Sequence, residues 1–202
     1  RFKVEQDERT KLYTHNIDVD KINEGELAKL EGEEVIFRMH SSGPIALVEM
    51  LHKNCLAPEV LGLKEGALVM FLRNNFDEGY VNGTLGVVKG FSEAGYPVVR
   101  TNQGRTIEVL PEDWSIENEE GKVLASIAQL PLRLAWAITI HKSQGMTLDS
   151  AEMDLSKCFE LGMGYVALSR VRTLEGICLR GINDLALKVS EEAVEMDKEF
   201  QH

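Results

Sequence analysis

Two short segments in the last third of the chain carry the residues whose types and spacing could do chemistry. Residues 138–149 run from an apolar stretch into a polar turn that contains His141, Lys142, Ser143, Gln144 and Gly145. Residues 164–172 are largely apolar and end with Arg170 and Arg172. Backbone amides freed at a glycine turn can hold phosphate oxygens, together with lysine and hydroxyl groups. A guanidinium group stabilises the charge that develops during phosphoryl transfer. The two segments therefore predict contacts to a nucleic-acid backbone and to a nucleotide phosphate.

Each segment also has a purely structural explanation. Short polar turns occur in every fold, so residues 141–145 could form a solvated loop between a strand and a helix. Arg172 could extend its charged group into water from a half-buried helix. Arg170 has Leu168 and Val171 as neighbours, and burying an arginine there is costly unless its charge meets an anion. This cost favours a functional role for Arg170.

The net charge of −11 argues against broad contact with a polyanion, but its distribution qualifies that conclusion. Residues 131–180 contain six basic and five acidic residues, so this window is near +1 and the remainder carries about −12. One neutral-to-basic segment in an otherwise acidic chain is typical of proteins that hold a polyanion in a groove.

The three cysteines, Cys55, Cys158 and Cys178, are widely spaced and form no Cys-x-x-Cys pair, which argues against a zinc site. Free thiols predict an intracellular protein, in the bacterial cytoplasm or in the nucleus or mitochondrion of a eukaryote. No apolar run approaches the length of a membrane span, so no membrane partner is expected. The chain starts at Arg1 rather than Met, and we expect it to be a fragment of a longer protein.

The apolar patterning predicts an α/β domain that is interrupted by a β-rich insertion. The continuous apolar run 134–140 is expected of a strand buried on both faces of a parallel sheet. The other elements predicted around it are strands at 11–14, 35–40, 150–155 and 176–179, and helices at 19–30, 46–54, 162–171 and 184–200.

Residues 63–125 have a different character. Short β-rich runs at 67–73, 97–101 and 106–110, with another after the turn at Asn82 and Gly83, are separated by glycine and asparagine turns. This pattern predicts a small antiparallel barrel of SH3-like size. The predicted domain limits are therefore 63–125 for the insertion, with 1–62 and 126–202 forming the α/β domain.

The two chemistry-bearing segments resemble motifs V and VI of superfamily 1 DNA helicases of the Pif-type and RecD-like branch. The matching sequences are HKSQGMTLD at 141–149 and YVALSRVR at 165–172. Residues 12–23 are similar to the segment that opens the second motor domain in that family, and residues 67–74 and 80–88 resemble its inserted SH3-like domain. The resemblance implies a RecA-like parallel sheet, the second motor domain, interrupted by an SH3-like β-barrel.

The resemblance also implies a role for each matching residue. Arg170 would be the arginine finger, with Arg172 in a secondary role, and Gln144 and Gly145 would couple DNA to the nucleotide. The residues expected to contact single-stranded DNA are Thr139, His141, Lys142, Ser143, Thr14, His15 and Asn16. The family further implies an ATP-dependent helicase that moves 5′ to 3′.

One family feature is absent from the sequence, which contains no Gly-x-x-x-x-Gly-Lys-Ser/Thr phosphate loop. In the family this loop and the magnesium site belong to the first motor domain. The resemblance therefore implies that ATP and Mg²⁺ are bound in the full-length protein by that other domain. We expect this chain to hold no metal, to bind neither ligand tightly by itself, and to be inactive alone.

Two other functions are compatible with parts of the sequence. The barrel could be a single-strand-binding platform without a motor, which would need base-stacking aromatic residues on its strands. It could instead bind proline-rich peptides, which would need a clustered aromatic groove. The aromatic residues available for base stacking are Phe71, Phe76, Tyr80, Phe91, Tyr96 and Trp114. A proline-binding groove would need Tyr80, Tyr96 and Trp114 to converge.

Overall fold

A computed structural model describes residues 10–13, 16–148, 150–190 and 195–196 of the 202-residue chain. Two compact units are present, residues 1–24 with 135–202, and residues 25–134. The elements are, in order, β1 (Thr10–Tyr13), α1 (Asn16–Lys29), β2 (Val35–Arg38), β3 (His40–Ser42), α2 (Ile45–Asn54), β4 (Val60–Leu63), β5 (Leu68–Phe71), β6 (Leu85–Phe91), β7 (Pro97–Thr101), β8 (Thr106–Glu108), β9 (Glu112–Glu117), β10 (Val123–Gln129), β11 (Leu132–Leu134), β12 (Ala137–Thr139), β13 (Ala151–Leu155), α3 (Met163–Leu168), a 3₁₀ turn (Leu174–Gly176) and β14 (Ile177–Ile182).

The first unit is built on a four-stranded sheet in the order β12-β1-β13-β14, and every neighbouring pair is parallel. Leu12 on β1, Met153 on β13 and Ile138 on the edge strand β12 are all buried. Parallel sheets are typically covered on both faces, which explains why every residue of β12 is buried. In β1 and β13, buried residues alternate with more exposed ones. The predicted α/β class with a parallel sheet is confirmed.

The second unit is antiparallel. A five-stranded sheet has the order β11-β5-β6-β7-β8, a three-stranded sheet has the order β3-β10-β9, and β2 pairs with β4. Val69, Phe71, Val88, Val99 and Ile127 are fully buried in its core. In sequence this unit separates α1 from β12, so the predicted β insertion is confirmed as a class of structure.

The second unit is larger than the predicted limits of 63–125, because strands on both sides of that range pair into its sheets. β3 pairs with β10 through Ser42 and Ser126, and β11 pairs with β5 through Leu132 and Phe71. The strands β4, β9 and β10 have no counterpart among the predicted strands, although an asparagine–glycine turn at 118–121 precedes β10.

The prediction of one strand over 134–140 is wrong. β11 ends at Leu134 in the antiparallel unit, and β12 begins at Ala137 in the parallel sheet. The carbonyl of Trp136 already accepts a hydrogen bond from the amide of Lys11 at 2.8 Å. Both strands are buried, so an apolar run reports burial without reporting which sheet a residue joins.

Two helix predictions also need correction. The helix predicted over 162–171 is only α3, because Gly162 has a left-handed φ of 79° and the chain after Leu168 turns away to pair with another segment. The terminal helix predicted over 184–200 does not form over 184–190, where Asn183 folds a turn by accepting the amide of Ala186. Residues 195–196 are helical, and the rest of that range lies outside the described residues.

Candidate nucleic-acid and nucleotide interface

The polar turn, residues 141–145, follows β12 at the carboxyl edge of the parallel sheet. The amide of Ile140 donates to the carbonyl of Tyr13 on β1 at 2.9 Å, which fixes the point where the strand ends. Ile138 and Ile140 are buried beneath the turn. Open α/β sheets present ligand sites at this edge.

A buried asparagine on α1 helps to position β12. The Asn23 side chain donates to the carbonyl of Ala137 at 2.9 Å and accepts the amide of Ala137 at 3.0 Å. Asn23 is only 5% exposed. Sequence reasoning missed this residue, although a signal existed, since Asn23 lies four residues from both Val19 and Leu27 on the apolar stripe of the helix.

Two of the predicted DNA contacts, Thr139 and Ser143, have buried side chains that shape the turn. The Thr139 hydroxyl accepts the amide of Lys142 at 3.2 Å. The Ser143 hydroxyl donates to the carbonyl of Ile140 at 2.7 Å, and the Ser143 amide donates to the carbonyl of Thr139 at 3.0 Å. Both hydroxyls therefore hold the backbone in its turned conformation.

The outward face of the turn is formed by its other residues. His141, Gln144 and Gly145 are exposed, and Lys142 is half-buried. Gly145 has a left-handed φ of 80°, and a Cβ atom added there would meet nothing within 4 Å. A polymer backbone can therefore approach the main chain closely at this point, beside an imidazole, an amide and an ammonium group.

His141 has two neighbours from the loop that precedes α3. Its Nε2 lies 3.1 Å from Oε2 of Glu160. The centroid of its ring lies 6.3 Å from that of Phe159. Neither Phe159 nor Glu160 was singled out from the sequence, because the intervening 18 residues give no local signal of this contact.

The Arg170 side chain is oriented by its own helix end. Its Nε donates to the carbonyl of Val166 at 3.0 Å, and its Nη2 donates to the Ser169 hydroxyl at 2.9 Å. Ser169 in turn donates to the same Val166 carbonyl at 3.0 Å. Arg170 is half-buried and Arg172 is exposed.

A short backbone ladder joins the polar turn to the arginine segment. The amide of Leu148 donates to the carbonyl of Arg170 at 2.7 Å, and the amide of Arg172 donates to the carbonyl of Leu148 at 3.1 Å. Leu148 and Val171 form a parallel bridge, and Leu148 is fully buried. The structure thus brings the two predicted segments together through Leu148, the third residue after the turn.

Three further predicted DNA contacts lie near the start of the chain. Thr14 and His15 lie outside the described residues, and Asn16 is the first residue of α1.

Burial raises the pKa of the Cys158 thiol, so this thiol, next to Phe159, stays protonated near neutral pH.

Two other kinds of feature are absent from the described residues. None of the helices there is long and apolar enough to cross a membrane. Over the same residues, no cluster of three histidine, cysteine or acidic side chains has an arrangement suited to a metal ion.

Comparison with known proteins gives a consistent result. Residues 46–91, within the antiparallel unit, match the family model described as "DNA helicase Pif1, 2B domain". The chain is 44% identical over 243 aligned residues to the ATP-dependent DNA helicase Pif1 of Psychrobacter sp., covering 96% of this chain and 37% of that protein.

Two solved structures from Bacteroides are also similar. Pif1 in complex with ADP-AlF4 has a TM-score of 0.83 and 33% identity, covering 97% of this chain and 46% of that one. Pif1 in complex with ADP-AlF3 and single-stranded DNA has a TM-score of 0.69 and 33% identity, covering 98% and 46%. This chain spans less than half the length of these relatives. Because the similarity extends over almost all of its residues, the chain belongs to the Pif1 family of DNA helicases.

Proposed function

We propose that this chain is the second motor domain, with its inserted 2B domain, of an ATP-dependent DNA helicase. The observation that carries the proposal is the ladder between Leu148 and the backbone of Arg170 and Arg172. It ties the turn suited to a phosphate backbone to the arginine suited to a nucleotide phosphate. A motor needs such a connection, because hydrolysis at one site must change the grip at the other.

The DNA-gripping part of the proposal is assigned to the outward face of the turn. Lys142 and His141 would contact backbone phosphates, and Gln144 and Gly145 would relay the nucleotide state to that grip. Thr139 and Ser143 would act by holding the shape of the turn. A Bacteroides relative was crystallised with single-stranded DNA, which supports this ligand class.

The nucleotide part of the proposal is assigned to Arg170, with Arg172 secondary. ATP and Mg²⁺ would be held by a second domain that carries the phosphate loop, which this sequence lacks. Closure of the two domains would bring the Arg170 guanidinium to the γ-phosphate, where it stabilises the charge of the transition state. Relatives crystallised with ADP and aluminium fluoride support the use of ATP.

The test is the substitution Arg170→Ala in the protein that carries this chain together with its ATP-binding domain. We expect the DNA-stimulated kcat for ATP hydrolysis to fall by about 10³, because arginine fingers contribute about 10³ to 10⁵. Arg170→Lys should restore little, since lysine lacks the planar fork. Arg180→Ala is the matched control, because Arg180 is an exposed arginine of the same unit that pairs with Glu152 at 2.8 Å. An Arg170→Ala kcat within a few-fold of wild type would refute the assignment.

The aromatic residues do not favour the two alternative functions of the barrel. Phe71 and Tyr80 are buried and stack on each other at 4.1 Å between centroids. Trp114 lies under the guanidinium of Arg73 at 5.0 Å. A base-stacking platform or a proline-binding groove needs neighbouring exposed ring faces, and these three rings are used inside the unit. Phe91 stacks on Phe37 at 6.4 Å between centroids. Phe76 is 79% exposed, but one exposed ring does not make such a surface.

A further inference from the structure

We propose that His141 and Phe159 form a subsite for one nucleotide of single-stranded DNA, with Glu160 in the position that the DNA phosphate takes. The phosphate would bind the His141 imidazole, and the base would stack on the Phe159 ring. The proposal rests on the proposed function, because it concerns the same DNA-gripping turn.

The two rings are neighbours that do not cover each other. Their centroids lie 6.3 Å apart with 38° between the ring planes, which is a tilted arrangement rather than a close stack. Phe159 is 49% exposed, and the His141 side chain is 54% exposed. A large exposed aromatic ring beside a phosphate-binding group is the arrangement that single-strand-binding proteins use, because every base has a face that can stack.

The main chain on either side of Phe159 is held in place. The residue before it, Cys158, has its carbonyl bound by the Asn183 side chain at 2.9 Å and its amide bound to Leu155 at 3.3 Å. The residue after it, Glu160, precedes α3, whose Met163 is buried. A fixed platform loses little conformational entropy on binding, which favours a role in recognition.

The carboxylate of Glu160 already lies against the imidazole of His141. Oε2 of Glu160 lies 3.1 Å from Nε2 of His141, so an anionic oxygen already occupies the place where a phosphate oxygen would bind. Both side chains are more than half exposed, at 54% and 56%. Exposed ion pairs contribute only about 0–1 kcal/mol, so DNA can replace the carboxylate readily. Glu160 would therefore weaken binding and keep the grip reversible.

The favoured ligand is DNA rather than a protein because of what surrounds the subsite. Lys142 and the open backbone at Gly145 belong to the same turn as His141. A lysine and free main-chain approach suit a chain of regularly spaced phosphates.

The test is fluorescence anisotropy of this chain with a labelled oligothymidylate and with an abasic oligomer of the same length. Phe159→Leu removes the ring face and keeps an apolar side chain. We expect it to weaken oligothymidylate binding about fivefold or more, the low end for loss of one stacked base, and to leave abasic binding unchanged. Equal effects on both oligomers would overturn the base-stacking role.

Glu160→Gln tests the exchange of carboxylate for phosphate. We expect it to tighten binding of both oligomers about three- to fivefold at low salt, the range of an exposed pair. Glu175→Gln is the matched control, an exposed glutamate of the same unit, and should stay within about twofold of wild type. The gain should vanish when His141→Ala is added. If Glu160→Gln raises DNA affinity no more than Glu175→Gln does, a DNA phosphate does not replace the Glu160 carboxylate.

Lys142→Ala separates this proposal from the proposed function. Suppose that Lys142→Ala weakens DNA binding but Phe159→Leu and Glu160→Gln do not alter it. The turn then contacts DNA as proposed, and the subsite formed by His141 and Phe159 is refuted. If the wild-type chain binds neither oligomer at low salt, the grip is overturned together with the subsite. Melting temperatures of all variants exclude misfolding as the cause.

Discussion

At the scale of single residues, Asn23 is the side chain that ties α1 to the strand leading into the turn. Its amide satisfies both backbone groups of Ala137. We expect Asn23→Leu to lower the free energy of unfolding by roughly 2–4 kcal/mol, because two buried backbone groups lose their partners. Urea denaturation measures this loss. Glu24→Leu, an exposed position on the same helix, is the control and should change stability by less than about 0.5 kcal/mol. Equal stability of the two variants would contradict this role for Asn23.

Tyr80 makes the stability of the antiparallel unit depend on alkaline pH. Burial and the hydrogen bond to Glu112, at 2.7 Å, raise the pKa of its phenol. A folded-state pKa above the unfolded value of about 10 means that stability is fully present below pH 10 and is lost as pH rises above it. We expect the free energy of unfolding to fall as the pH rises above about 10, and to fall less steeply in Tyr80→Phe.

The measurement is urea denaturation of both proteins at several pH values above 9. Tyr80→Phe is the appropriate variant because it keeps the stacked ring against Phe71 and removes only the titrating hydroxyl. Parallel pH profiles for the two proteins would show that Tyr80 does not cause the dependence.

At the scale of elements, Gly164 lets α3 pack against the turn that follows β14. A Cβ atom at Gly164 would collide with the carbonyl of Ala186, which is backbone and cannot rotate away. We expect Gly164→Ala to lower the melting temperature, by a destabilisation of about 1–3 kcal/mol, because overpacking forces backbone shifts. Gly25→Ala is the matched control, since Gly25 is helical with open space around it. That substitution should stabilise the helix by about 0.5–1 kcal/mol.

The outcome that would contradict the packing argument is a Gly164→Ala melting temperature equal to or above that of wild type. The same variant also tests the proposed role of Arg170, because Arg170 lies one residue beyond Ser169, the C-cap of α3. A displaced α3 should therefore reduce DNA-stimulated ATP hydrolysis in the protein that includes the ATP-binding domain.

The elements that could be predicted are those whose limits are set by local chemistry. β7 was predicted with its observed limits, Pro97–Thr101, since proline and a glycine turn bound it. The division of the run 134–140 between β11 and β12 could not be predicted, because partner strands more than 60 residues away decide it. Likewise, the sequence motif predicted that residues 141–145 form a functional turn. It could not predict that the Ser143 hydroxyl bonds to the carbonyl of Ile140, because that bond depends on the conformation of the turn.

At the scale of the whole molecule, the chain is strongly acidic, and its candidate phosphate contacts are few. The net charge is −11, and the turn offers Lys142 with His141. A protein of this charge can hold DNA only where cations are locally concentrated, so binding should be weak and specific to one groove.

The expected salt dependence follows from that count. Single-stranded DNA binding changes with salt by a slope of about −0.7 per neutralised phosphate, so Lys142 alone gives a slope of about −0.7 in log Kobs against log salt. Anisotropy titrations from low to moderate salt measure the slope, and Lys142→Ala should reduce its magnitude by about 0.7. Arg180→Ala, which removes a cation away from the turn, should leave the slope unchanged. A wild-type slope steeper than about −4 would require a broad basic surface, which the charge distribution of this chain does not supply.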